Sequence, residues 1–139
     1  MTRKMVPARL QDLFEAATRA RKNAYAPYSR YRVGAAIRLE DGSVFSGCNV
    51  ENSTYGATTC AEQIAVFKAV SEKGKIRIAE VMVITESDPP ASPCGICRQV
   101  LAEFGPKAVI HASNPKGRIK TLKLGSLLPD AFTPEHLDR

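Results

Sequence analysis

Two separated groups of cysteines constrain this chain more than any other feature. Cys60-Ala61-Glu62 comes first, and Pro93-Cys94-Gly95-Ile96-Cys97 follows, with 33 residues between Cys60 and Cys94. If all three thiols serve one metal ion, the fold must bring two remote segments to a single point. Zinc takes four tetrahedral ligands, and a catalytic site keeps the fourth position for water. Three thiolates and a neighbouring carboxylate answer that need, with the sulfurs holding the metal and Glu62 moving protons between water and a substrate. The pattern predicts zinc-assisted hydrolysis.

Local sequence signals place these residues. Leu10, Leu13, Phe14, Ala17 and Ala20 recur at helical spacing, which predicts a helix over 7–24 with Pro7 in its first turn. Val33 to Leu39 and Val44 to Cys48 flank Asp41-Gly42, a hairpin signal. The polar stretch 49–59 is expected as a loop. Ala61, Ile64, Ala65, Phe67, Lys68 and Ala69 suit a helix running to Glu72 and stopped by Gly74. Ile78 to Thr85 is expected as a strand buried on both faces, 94–104 as a helix, 108–112 as a strand and 119–124 as a fifth strand. This alternation predicts an α/β sandwich with helices covering a mixed sheet, in one domain over 1–139.

Both cysteine groups fall at predicted helix starts, where free N–H groups and partial positive charge favour thiolates. Cys94 and Cys97 are one turn apart, so their sulfurs can share a face. Other readings exist for the parts. Cys94-Gly95-Ile96-Cys97 alone fits thioredoxin-like redox chemistry. A structural site of four cysteines would recruit Cys48, although a strand-ending cysteine is more simply a small buried core residue. His111 and His136 stand apart from the cysteines and are read as non-ligands.

Composition excludes several classes. The net charge is +6, but the lysines and arginines are dispersed and no run of five like charges occurs. With four tyrosines, five phenylalanines and no tryptophan, the chain lacks a basic, aromatic-lined strand-binding groove, so no nucleic-acid partner is expected. No apolar run approaches the roughly 18 residues of a membrane span. Basic residues near Met1 precede no apolar signal segment, so a reducing, cytoplasmic setting is expected, where cysteines serve metals or catalysis rather than disulfides.

Beyond the metal pattern, Tyr25-Ala26-Pro27-Tyr28-Ser29, Val33-Gly34-Ala35-Ala36, Gly47-Cys48-Asn49-Val50-Glu51-Asn52, Ser92-Pro93-Cys94-Gly95-Ile96-Cys97-Arg98-Gln99 and Leu127-Leu128-Pro129 stand in this chain. Together with Cys60-Ala61-Glu62 they resemble the small, tetrameric cytidine deaminases, and Cys-x-Glu with Pro-Cys-x-x-Cys is the three-cysteine form of the zinc deaminase signature. The resemblance runs from about residue 10 to residue 132. It implies a five-stranded mixed sheet in a three-layer α/β/α sandwich and hydrolytic deamination of cytidine and deoxycytidine to uridine and deoxyuridine. It also implies one Zn²⁺ per subunit on Cys60, Cys94 and Cys97, Glu62 as proton shuttle, and Asn49 and Glu51 on the ribose hydroxyls. Tyr31 stands where the family commonly has a phenylalanine against the base. Tyr55 and Phe132 resemble residues that reach a neighbour's active site in a homotetramer.

On that reading Glu62 passes a proton from water to ring nitrogen N3, water adds at C4, and a second proton transfer releases ammonia. One departure stands out. Many relatives carry arginine after the glutamate, hydrogen-bonded to the zinc thiolates, whereas this chain has Gln63. Glutamine brings no charge, so helix dipoles are expected to carry more of the thiolate charge. Two alternatives remain within reach of the same motifs. A deaminase of another aminopyrimidine, such as the nucleoside antibiotic blasticidin S, is disfavoured by the ribose-type Asn49-Val50-Glu51-Asn52. A structural-zinc or redox module would bind metal without turnover.

Overall fold

The structure, a computed structural model, describes residues 5–137. A 3-10 turn at Ala8–Leu10 leads into α1 (Gln11–Lys22). The expected helix thus begins later than Pro7. Pro7 itself is extended, at φ −53° and ψ 141°, and the Leu10 N–H closes a tight turn on the Pro7 carbonyl at 2.9 Å. The periodic face is the one the spacing predicts, since Leu10, Leu13, Phe14 and Ala17 are all buried.

Five strands form one sheet in the order β2-β1-β3-β4-β5. β1 (Gly34–Leu39) and β2 (Val44–Cys48) make the expected hairpin, with Gly42 at φ +91° in the connecting turn. β3 (Ile78–Ile84) runs antiparallel to β1 and parallel to β4 (Val109–Ser113), and β5 (Ile119–Lys123) closes the edge antiparallel to β4. A strand buried on both faces reads as a continuous apolar run, and Val81, Met82, Val83 and Ile84 are all buried. Successive residues alternate between the layers. Ala36, Met82 and Ile84 meet α1, while Ile37, Val81, Val83 and Ile110 meet α2 (Ala61–Lys73) and α3 (Gly95–Phe104). The three-layer α/β/α sandwich with a mixed sheet is therefore the observed fold. α4 (Leu124–Leu127), a single turn after β5, has no counterpart in the sequence-based expectation.

Two glycines let the helices lie flush on the sheet. A Cβ on Gly34 would stand 2.1 Å from the Ala17 carbonyl oxygen of α1. A Cβ on Gly47 would stand 2.7 Å from both the Ala61 carbonyl oxygen and the Ala65 nitrogen of α2. Real Cβ contacts are longer, so any side chain here would push a helix away. For α2 this contact lies at the end that carries Cys60 and Glu62.

Under α1 the sheet carries a polar cluster. Glu80 accepts from Arg9 at 3.1 Å and Arg38 at 3.4 Å and pairs with the buried His111 at 2.8 Å, while Arg38 also holds Asp12 at 2.8 Å. His111 Nδ1 meets Thr121 Oγ1 at 3.0 Å. This ring is thus fully occupied away from the cysteines.

Candidate metal centre and active site

Cys60 is the N-cap residue of α2, and Cys94 is the N-cap residue of α3, with Cys97 in the first turn of α3. The two helix starts do meet. Cys60 Sγ lies 3.9 Å from Cys94 Sγ, Cys94 Sγ lies 3.5 Å from Cys97 Sγ, and all three sulfurs fall within 4.8 Å of one another. Zinc–sulfur bonds of about 2.3 Å in tetrahedral array place sulfurs about 3.8 Å apart, so the set fits a zinc ion. Among the described residues this is the one such group of metal-ligating side chains. Cys48 does not join it and is half-buried at the strand end rather than a core residue. His111 and His136 are likewise outside it.

Hydrogen bonding by the Cys97 thiol lowers the Cys60 thiol to about 6 against the opposing effect of burial, and Cys97 is in turn pushed well up. Glu62, in the first turn of α2, is only 4% exposed. Burial pushes its carboxyl up to about 7, and the charge on Cys60 adds to the rise. A carboxyl placed there can both take and give a proton near neutral pH.

Beside the sulfurs lies a cavity of about 330 Å³. Tyr31, Asn49, Glu51 and Glu62 line it together with the three cysteines, so seven of the expected site residues converge. The Asn49 amide bridges two backbone groups, donating to the Tyr31 carbonyl at 2.8 Å and accepting from the Val33 N–H at 2.9 Å. That leaves one amide hydrogen and one lone pair for a ligand. Glu51 Oε1 accepts from the N–H groups of Tyr28 and Ser29 at 3.0 and 3.1 Å, and Oε2 accepts from Ser29 Oγ. These bonds, Ser29 Oγ foremost, hold the Glu51 carboxyl below its ordinary value, so it faces the cavity ionised. The Tyr31 hydroxyl is taken up by Ser87 Oγ at 2.6 Å.

Tyr55 and Phe132 do not line this cavity. Tyr55 is 75% exposed and borders an adjoining hollow with Tyr28, Ser29, Glu51 and Thr58. Phe132 is 58% exposed, stacks on His136 at 5.2 Å between ring centres, and its carbonyl accepts from Gln99 at 2.9 Å.

Comparison with known proteins places this geometry. The family model for the cytidine and deoxycytidylate deaminase zinc-binding region matches residues 7–113. The chain belongs to the cytidine and deoxycytidylate deaminase family. A cytidine deaminase of Halalkalibacterium halodurans is 45% identical over 129 residues, spanning 92% of this chain and 97% of that one. One from Mycobacterium tuberculosis is 44% identical over 125 residues, 88% of this chain and 89% of that one. Among solved structures, the cytidine deaminase of Burkholderia pseudomallei superposes with a TM-score of 0.82 at 46% identity, over 87% of this chain and 97% of that chain.

Within this deaminase frame, Gln63 takes a backbone partner. Its Oε1 accepts from the Cys60 N–H at 3.0 Å, closing a capping box at the start of α2. The side chain thus steadies the backbone of a ligand instead of donating to a sulfur, and the helix-start amides are left to face the thiolate. Ser29, which orients Glu51, escapes sequence reasoning as a site residue. It sits in Tyr25-Ala26-Pro27-Tyr28-Ser29, one of the segments that carry the resemblance, but nothing local marks it as a partner of Glu51. Arg30 at φ +60° turns the chain there, between Ser29 and Tyr31.

Proposed function

We propose that this chain is a zinc-dependent hydrolase that deaminates cytidine and deoxycytidine to uridine and deoxyuridine, a step of pyrimidine salvage. The observation that carries this reading is the convergence of three cysteine sulfurs with the buried Glu62 on one nucleoside-sized cavity. Residues 1–139 are taken as one catalytic domain.

Zinc held by Cys60, Cys94 and Cys97 supplies Lewis acidity that makes water nucleophilic near neutral pH. Glu62 moves the protons. As water adds to C4 of the pyrimidine, Glu62 accepts its proton and delivers it to N3. Glu62 then carries the second proton to the exocyclic nitrogen, the C4–N bond breaks, ammonia leaves and a carbonyl remains at C4. Asn49 and Glu51 take the ribose hydroxyls with the hydrogen-bonding capacity their backbone contacts leave free. The Tyr31 ring packs against the base, its hydroxyl turned to Ser87.

Tyr55, Phe132, Phe67 and Ile96 are large apolar side chains left exposed on a single chain. Such surfaces suit burial against other subunits, which supports a homotetramer in which Tyr55 and Phe132 complete a neighbour's cavity. Among the described residues no helix is long and apolar enough to cross a membrane. Three reduced thiols at the site suit the cytoplasm.

Absorbance and ammonia assays of the zinc-loaded protein on cytidine, deoxycytidine and blasticidin S test the reaction. Turnover of the first two is expected. Bound zinc with no turnover of either would overturn the assignment, and turnover of blasticidin S alone would replace the substrate. Activity per subunit on dilution tests the assembly, and it should fall as the oligomer dissociates. A fully active dilute monomer would remove the roles given to Tyr55 and Phe132.

A further inference from the structure

The three sulfurs are not equally supported. Cys97 is buried in the first turn of α3, and Cys60 is half-buried with its N–H held by Gln63. Cys94 is exposed, so packing does little to hold it. The backbone there, next to the buried Pro93, is bonded by Arg98. The Arg98 N–H bonds the Cys94 carbonyl at 2.9 Å, and Arg98 Nε bonds the preceding carbonyl, that of Pro93, at 2.7 Å. The same guanidinium reaches Ser92 Oγ through Nη2 at 2.9 Å and the Leu127 carbonyl of α4 through Nη1 at 2.9 Å.

We propose that Arg98 is a positioning residue for the metal site, a three-way clamp that fixes the Ser92–Pro93 segment and thereby aims Cys94 at the ion. The inference rests on the zinc reading above. The planar guanidinium is suited to this task because it carries several donors in a fixed fork, whereas a lysine ammonium on a flexible stem cannot hold three acceptors in the same directions. Two of the acceptors, Ser92 Oγ and the Pro93 carbonyl, belong to the segment that delivers Cys94. The third, the Leu127 carbonyl, anchors the clamp to a different element. Removing the fork leaves the helix hydrogen bond to the Cys94 carbonyl but frees the segment that precedes it. Groups that orient metal ligands from outside commonly contribute about 10–100-fold in metal affinity or activity.

The test measures zinc release from the loaded enzyme into excess colorimetric chelator, for the parent, Arg98→Lys, Ser92→Ala and Gln99→Leu, with the Tm of each zinc-free protein measured alongside. Zinc release about 10–100-fold faster in Arg98→Lys is expected. A smaller acceleration is expected in Ser92→Ala, which loses one bond of the clamp and cannot disrupt the fold through the arginine. Gln99→Leu frees the Phe132 carbonyl but no part of the Ser92–Cys94 segment, and should release zinc at the parent rate. Release from Arg98→Lys within twofold of the parent would overturn the proposal. Equal acceleration in Gln99→Leu would also overturn it, because the effect would belong to α3 as a whole. A zinc-free Tm that falls in step with faster release, with Ser92→Ala unchanged, would assign Arg98 to the fold alone and overturn it too. A parent that holds no zinc would instead refute the reading of the metal site.

Discussion

Gly47→Ala tests whether the sheet sets the position of the catalytic helix. The added methyl meets the Ala61 carbonyl oxygen and the Ala65 nitrogen at 2.7 Å and the Ile64 Cβ at 2.8 Å. None of these is the free end of a flexible side chain. Lifting 2.7 Å contacts to the 3.4 Å where ordinary van der Waals contact begins needs a movement of about 0.7 Å, overpacking of a kind that costs about 1–3 kcal/mol. For a chain of this length each kcal/mol shifts Tm by about 3–4 °C, so a fall of about 3–12 °C is expected. The moved segment is the start of α2, which carries Cys60 and Glu62. A misplacement of about 1 Å in a catalytic group can cost about 100-fold, so kcat should fall about 10–100-fold. Differential scanning calorimetry and steady-state kinetics on cytidine measure both. Gly125→Ala is the control, because the nearest atom to its added methyl, the Pro106 carbonyl oxygen, would lie 4.0 Å away. It should leave Tm unchanged or slightly raised. If Gly47→Ala matches the parent in both Tm and kcat, α2 is not seated as described.

Further outcomes follow from the same contacts. Gln63→Leu removes the acceptor for the Cys60 N–H and should lower stability by about 1 kcal/mol, the usual worth of a helix cap; an unchanged Tm would deny the capping box its role. The acid limb of stability should depend on the cluster under α1. Burial alone would raise the Glu80 carboxyl, but His111 and Arg9 outweigh it and lower it, and the Arg38 hydrogen bond lowers Asp12. Carboxyls lowered in the folded state stabilise above their unfolded values and lose that contribution as pH falls through the folded ones. The urea midpoint should therefore drop from about pH 5 downward, and Arg38→Met should flatten the drop; equal slopes in both proteins would contradict it.

The parts of the fold that follow local rules were readable from the chain. The Asp41-Gly42 turn, the apolar run of β3 and the periodic face of α1 each depend on neighbours in sequence, and each formed. The metal set was readable because cysteine spacing within a helix turn and adjacency to Glu62 are local as well. What escaped depends on distant partners. Ser29 meets Glu51 across 22 residues, and Arg98 meets Leu127 across 29, so neither role has a local signature. The Gln63 side chain carries both a donor and an acceptor, and only the folded chain shows its acceptor closing on the Cys60 N–H. Pro7 fits either a helix start or an extended entry, and its ψ of 141° shows the latter. Tyr55 and Phe132 are exposed and do not line the cavity beside the sulfurs, so their placement in this chain gives them no contact with it.

Ammonia release from cytidine, measured on the zinc-loaded protein beside zinc-loaded Glu62→Gln, tests the central claim most directly. The account predicts release by the parent and a loss of at least about 100-fold in the variant, with equal zinc content in both. Near-parental release by a fully zinc-loaded Glu62→Gln protein would contradict it.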